Sequence, residues 1–151
     1  CAAAAPLLAD LANAVFRLGA APGQAAAMKL VNNLLAGVHL AAAAEAFALG
    51  ERAGLTREQM LAVTQASSGQ SWIAGERLGR WLTGDRAPRA QARILAKDLR
   101  LALAWAHEAG VSADFGVRAS AAFEAALAAG LGEEDDAALF DAARRARSGG
   151  A

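Results

Sequence analysis

The stretch QAAAMKLVNNLLAGVHLAAAAEAFALGERA, positions 24–53, decides the fold. It holds no proline, and only Gly37 and Gly50 interrupt a run of strong helix formers. Thirty residues at 1.5 Å each make a rod of roughly 45 Å, long for a chain of this size. A rod of that length forms the spine of a domain or packs against another subunit. Gly54 stops it, as a glycine just past a helix end does. Leu55-Thr56-Arg57-Glu58-Gln59-Met60 then opens a second helix. Thr56 and Gln59 can cap each other's amides, and Leu55 can pack on Met60.

The same reading runs down the chain. The second helix ends near Ser67-Ser68-Gly69, and a third covers 71–82 before the turn Thr83-Gly84-Asp85. A fourth starts with Pro88 in its first turn and runs to Ala109. Ser112 caps a fifth that reaches Ala129. A sixth begins among the acids Glu133, Glu134, Asp135 and Asp136 and ends at Arg144, Arg145 and Arg147, charges that suit the two ends of a helix. Toward the N-terminus the pattern changes: 6–13 read as a short helix and 14–18 (Ala-Val-Phe-Arg-Leu) as a strand. A lone strand cannot satisfy its backbone inside a helical domain, so it is expected to belong to a sheet outside this chain. The fold class is therefore all-α, a multi-helix domain around one long helix with a short helix–strand piece ahead of it. Residues 148–151 are expected to fray.

Composition bounds the function. Fifteen acidic and fifteen basic side chains among 151 residues leave no broad basic field, which argues against nucleic acid as a partner. One cysteine excludes an internal disulfide framework and multi-cysteine zinc sites, so no metal is expected and a reducing, cytoplasmic setting is the default. The longest apolar run, 34–49, carries His39 and Glu45 and is mostly alanine. A membrane span needs about 20 strongly apolar residues, so the run reads as a buried helix and no membrane partner is expected. The chain opens at Cys1 without a charged start or a hydrophobic leader, and it reads as a fragment.

Of fifteen basic residues only Lys29 and Lys97 are lysine. Lysine, unlike arginine, can exchange a proton near neutrality when its surroundings lower its pKa. Lys29 is followed by Asn32 and Asn33, two of the three asparagines in the chain. Lys29 and Asn33 share a helix face. An ammonium beside a carboxamide can hold a hydroxyl or carbonyl oxygen and exchange a proton with it. The plainer alternative is a polar pair satisfying a buried water or a neighbouring helix end. Lys97-Asp98 sits mid-helix between Leu95 and Leu99, and its plain account is a surface or cap pair. Ser67-Ser68-Gly69-Gln70-Ser71-Trp72 is a polar elbow that either lines a pocket or simply joins two helices, with Trp72 anchoring the core. His39 and His107 read as helix-packing histidines.

Three segments together resemble the β-hydroxyacid dehydrogenase family, which includes 3-hydroxyisobutyrate dehydrogenase and, more distantly, 6-phosphogluconate dehydrogenase. The run 23–35 is similar to its catalytic helix, 67–72 to its polar elbow, and Ile94-Leu95-Ala96-Lys97-Asp98-Leu99 to its lysine–aspartate–leucine helix. The ending, Gly130-Leu131-Gly132 with Asp136, is also similar, so the resemblance spans 19–147. It implies that 1–18 are the remnant of an N-terminal Rossmann domain and that 19–147 are the helical substrate-binding and dimerisation domain. It implies Lys29 as general acid/base, Asn33 orienting the reacting oxygen, and Asn32 adjoining the pocket. Ser68, Gly69 and Trp72 would shape the substrate end, and Lys97 would face the cofactor, with Asp98 setting its helix. The cofactor would be NAD or NADP, held mainly by the other domain, the substrate a small hydroxyacid, and the assembly a homodimer or higher homo-oligomer. The isolated chain would then be inactive. Ala25 stands where the family often has a second glycine, and Ala90 where it often has an aromatic. A non-catalytic dimerisation module and an imine-reductase-like enzyme are the alternatives, although imine reductases usually lack the lysine.

Overall fold

A computed structural model describes residues 4–145, which form seven α-helices and one 3-10 turn with no strand among them. The helices are α1 (Ala5–Leu11), α2 (Gln24–Arg52), α3 (Arg57–Gln65), α4 (Trp72–Leu82), α5 (Ala92–Glu108), α6 (Asp114–Ala128) and α7 (Leu139–Arg145), with the 3-10 turn Asp136–Ala138 leading into α7. The long helix is the spine, and α4, α5, α6 and α7 all pack against it. The core is a continuous cluster in which Leu40, Ala44 and Phe47 of α2 meet Leu78 and Trp81 of α4, Leu95 and Leu99 of α5, Phe123 of α6 and Phe140 of α7. Phe47 and Phe140 stack with ring centroids 6.0 Å apart.

Local chemistry sets the boundaries. Thr56 accepts a hydrogen bond from the Gln59 amide while the Gln59 side chain accepts one from the Thr56 amide, so the expected capping box is formed. Ser71 caps α4. Gly54 and Gly110, at φ 84° and 68°, end α2 and α5 in the left-handed region that only glycine enters cheaply. Helix α2 is long and apolar enough to cross a membrane by length and composition, yet Leu40, Ala44 and Phe47 of its second half are buried in the core.

Segment 14–18 is irregular here, with no pairing partner for it among the described residues. Three expectations need correction. Helix α5 starts at Ala92, so Pro88 lies in the preceding loop, whose backbone is tied to Asp135 instead. Ser112 does not cap α6; its hydroxyl donates to Asp114. The acids at 133–136 do more than decorate a helix start: Asp135 caps the 3-10 turn, while Asp135 and Asp136 are both buried against arginines of α4. The expected fraying at 148–151 lies outside the described residues.

Candidate active site

Lys29 and Asn33 project from one face of α2, one turn apart, and Lys97 and Asp98 come from the middle of α5. The two helices approach closely just beyond them. A Cβ placed on Gly37 would lie 2.7 Å from a methyl of Leu99, so glycine is what allows the helices this near. Positions 29, 33 and 37 form one stripe along α2. The stripe therefore carries its polar pair and a close approach to α5 on the same side.

Asp98 organises the cluster. Its side chain is 1% exposed, and it accepts from Lys29 Nζ at 2.5 Å and Asn33 Nδ2 at 2.7 Å on one oxygen, and from Lys97 Nζ at 2.6 Å on the other. Burial alone would raise its pKa. The hydrogen bonds from Lys29, Lys97 and Asn33 outweigh that and hold the carboxyl below the usual carboxylate range. The two lysines remain about half exposed at the rim, each with N–H groups left over after the bond to Asp98. Asn32 Nδ2 donates to Asn33 Oδ1 at 3.4 Å, so the Asn33 amide is oriented from both ends.

The arrangement is a buried anion that presents two ammonium groups and a carboxamide to the outside. It can bind an oxygen-rich, anionic or carbonyl-bearing small molecule and supply it with a proton.

Lys29, Asn33 and Lys97 are thus brought together, with Asn32 beside them. Ser68, Gly69 and Trp72 are not part of this polar cluster. Among the described residues no hydrogen bond or ion pair joins the elbow to it. The elbow's side-chain contacts run instead through Ser71, which lies 3.4 Å from His39 Nδ1 and accepts from Gln65 on its carbonyl. Trp72 is 77% exposed and anchors no core. His39 and His107 are exposed rather than packed.

Asp98 is what sequence reasoning undervalued, since a surface or cap pair is excluded by its burial. A signal was available: Asp98 shares its helix face with Leu95 and Ala102, three residues before and four after, where an acid needs cationic partners to be tolerated. The buried Asp135 and Asp136 gave no comparable signal, because acids before a helix have an ordinary explanation.

A family profile described as the NAD-binding family of NADP-dependent 3-hydroxyisobutyrate dehydrogenase matches residues 23–143. L-threonate dehydrogenase of Cupriavidus necator is 41% identical over 134 residues, covering 89% of this chain and 45% of that protein. Among solved structures, 3-hydroxyisobutyrate dehydrogenase from Salmonella typhimurium superposes with a TM-score of 0.85 at 37% identity, over 91% of this chain and 48% of its own. A structure of Psf3 in complex with NADP+ and 2-OPP gives 0.77 at 28% identity, over 93% and 49%. The chain spans about half the length of these relatives. With three family segments in order, an all-helical fold and matches along most of its length, the chain belongs to the β-hydroxyacid dehydrogenase family.

Proposed function

We propose that this chain is the helical half of an NAD(P)-dependent, cytoplasmic dehydrogenase that oxidises a small β-hydroxyacid or reduces the corresponding carbonyl compound. The observation that supports it most is Asp98, buried and bound at once to Lys29, Lys97 and Asn33. This acid holds two half-exposed lysines and an amide side by side at the surface, where a small molecule can reach them. The remainder of the protein would carry most of the nucleotide-binding surface.

Bound NAD(P)+ supplies the hydride acceptor. Lys97 fits a role beside it, because its half-exposed ammonium keeps donors free for a carboxamide or ribose oxygen. Lys29 handles the proton. As the free amine it takes the proton of the substrate hydroxyl during oxidation; as the ammonium it returns that proton to the carbonyl oxygen during reduction. Asn33, fixed by Asp98 and Asn32, orients that oxygen. Asp98 holds the ammonium of Lys29 in place and keeps Lys97 from swinging into solvent. The elbow residues Ser68, Gly69 and Trp72 are assigned to the outer wall of the substrate pocket.

The test restores the N-terminal half and follows NAD(P)H formation with L-threonate, 3-hydroxyisobutyrate and related acids. Lys29→Ala is expected to lower the rate by about 10² or more, the scale of general acid–base catalysis. The 151-residue chain alone is expected to give no turnover. Wild-type turnover that survives Lys29→Ala would remove Lys29 from the chemistry. An intact protein without turnover on any hydroxyacid would favour a non-catalytic dimerisation module or imine chemistry.

A further inference from the structure

Helix α5, which carries Lys97 and Asp98, has no side-chain cap on its N-terminus. Its first amides are satisfied from elsewhere in the chain. Ala92 N–H donates to the Glu134 carbonyl at 2.9 Å and Arg93 N–H to the Gly132 carbonyl at 3.1 Å. In return Asp136 N–H donates to the Ala90 carbonyl at 2.8 Å, which makes a short antiparallel bridge between Gln91 and Asp135. The start of α5 is thus spliced to the segment that precedes α7.

The splice is locked by one side chain. Asp135 is 1% exposed, and its carboxylate accepts from the amides of Arg89 (2.9 Å), Ala90 (3.5 Å) and Ala137 (3.1 Å). Arg80 Nη2 of α4 reaches both of its oxygens, at 3.0 and 3.1 Å. The contacts outweigh the cost of burial and hold this carboxyl below its ordinary range. One carboxylate therefore joins α4, the loop before α5 and the turn before α7.

We propose that Asp135, with Arg80, is a positioning residue that sets the register of α5 and so places Asp98 beneath Lys29 and Asn33. Asp98 lies six residues past Ala92, roughly 9 Å along a stiff helix, so a shift at the spliced end is carried to it. On its other side α5 is held by the Gly37–Leu99 approach. The lock and this approach bracket Asp98 and leave it little freedom. The inference deepens the dehydrogenase reading by naming what holds the proposed site together, and its test does not depend on turnover.

The test follows the carboxyl carbon of Asp98 by 13C NMR against pH in the 151-residue chain, together with amide exchange at Ala92 and Arg93. In Asp135→Ala, exchange at these two amides is expected to speed by about tenfold or more as the splice opens. The Asp98 midpoint is expected to move up toward the ordinary carboxylate value as its lysine contacts loosen. Asp135→Asn, which keeps one acceptor oxygen, is expected to fall between wild type and alanine, and it serves if the alanine variant does not fold. Met60→Ala, a core change in α3 against Gly50 of α2, controls for general loss of stability and should leave Asp98 unmoved. An unchanged Asp98 midpoint in a folded Asp135 variant overturns the proposal while leaving the role of Lys29 standing. A midpoint that Met60→Ala moves equally also overturns it, since the effect would then be unspecific.

Discussion

Asp98 and Asp136 are each 1% exposed, yet their surroundings drive their protonation in opposite directions. Asp98 has three donors, and its folded pKa lies below the ordinary value. Its stabilising contribution is therefore present above about pH 4 and is lost as the pH falls through the folded pKa. Asp136 has Arg77 Nε at 2.5 Å, but burial and the adjacent Asp135 carboxylate prevail and push it up to about 6. A raised folded pKa means the folded state binds the proton more tightly. The contribution of Asp136 is complete below about pH 4 and disappears as the pH rises through about 6. Stability is thus expected to increase from pH 7 to pH 5, by at most about 1.4 kcal/mol per pH unit from this group. Asp136→Asn should abolish that increase, as urea midpoints at the two pH values would report. An equal pH response in wild type and variant would contradict the assignment.

At the scale of elements, the contact of α2 with α5 depends on Gly37. A methyl there meets Leu99, which is fully buried and crowded by its neighbours, so both helices must shift or Leu99 must leave its place. Overpacking of this kind costs about 1–3 kcal/mol. The better helix propensity of alanine returns up to about 1 kcal/mol. Gly37→Ala is accordingly expected to destabilise the fold by a net ~0–2 kcal/mol in denaturant melts. The Asp98 contacts should loosen even where the melt barely moves. A variant with unchanged melting and an unchanged Asp98 resonance would show that the helices have room to spare.

The elements themselves were largely legible. The rod expected over 24–53 is Gln24–Arg52, and the Thr56 capping box is present, because both follow from local propensity and local hydrogen bonds. The start of α5 was not legible. Its amides are satisfied by carbonyls about forty residues away, and no local pattern encodes that. Pro88 was a misleading signal, since proline fits a loop as readily as a first helical turn.

For the molecule as a whole, several large apolar side chains stand at the surface. Met28, Val31 and Leu35 of α2, Ile94, Leu101 and Trp105 of α5, and Phe115 of α6 are all exposed. A groove of about 700 Å³ between α2, α6 and α7 is walled mainly by alanine and flanked by Glu45 and Arg118. Small residues allow close helix approach, and opposite charges on the two walls suit pairing about a two-fold axis. Light scattering is therefore expected to give a mass of two chains of 15.3 kDa or a higher multiple; a mass of one chain would exclude the dimer. The grouping of Lys29 with Asn33 could be read from their spacing on one helix. Their convergence on Asp98 could not, because it depends on how two distant helices cross.

That crossing has a mechanical side. No residue of α2 ahead of Leu34 is buried, so roughly 15 Å of the rod, the part bearing Lys29 and Asn33, projects beyond the core like a cantilever. A helical end of this length is marginal in water, and here the Asp98 contacts, with Leu34 packed at its root, steady it from the side. Whatever closes over this end, whether substrate, nucleotide or the rest of the protein, completes a beam otherwise clamped at one end only. The pocket would stiffen as it fills, so a ligand would raise the vibrational rigidity of the very support that orients it.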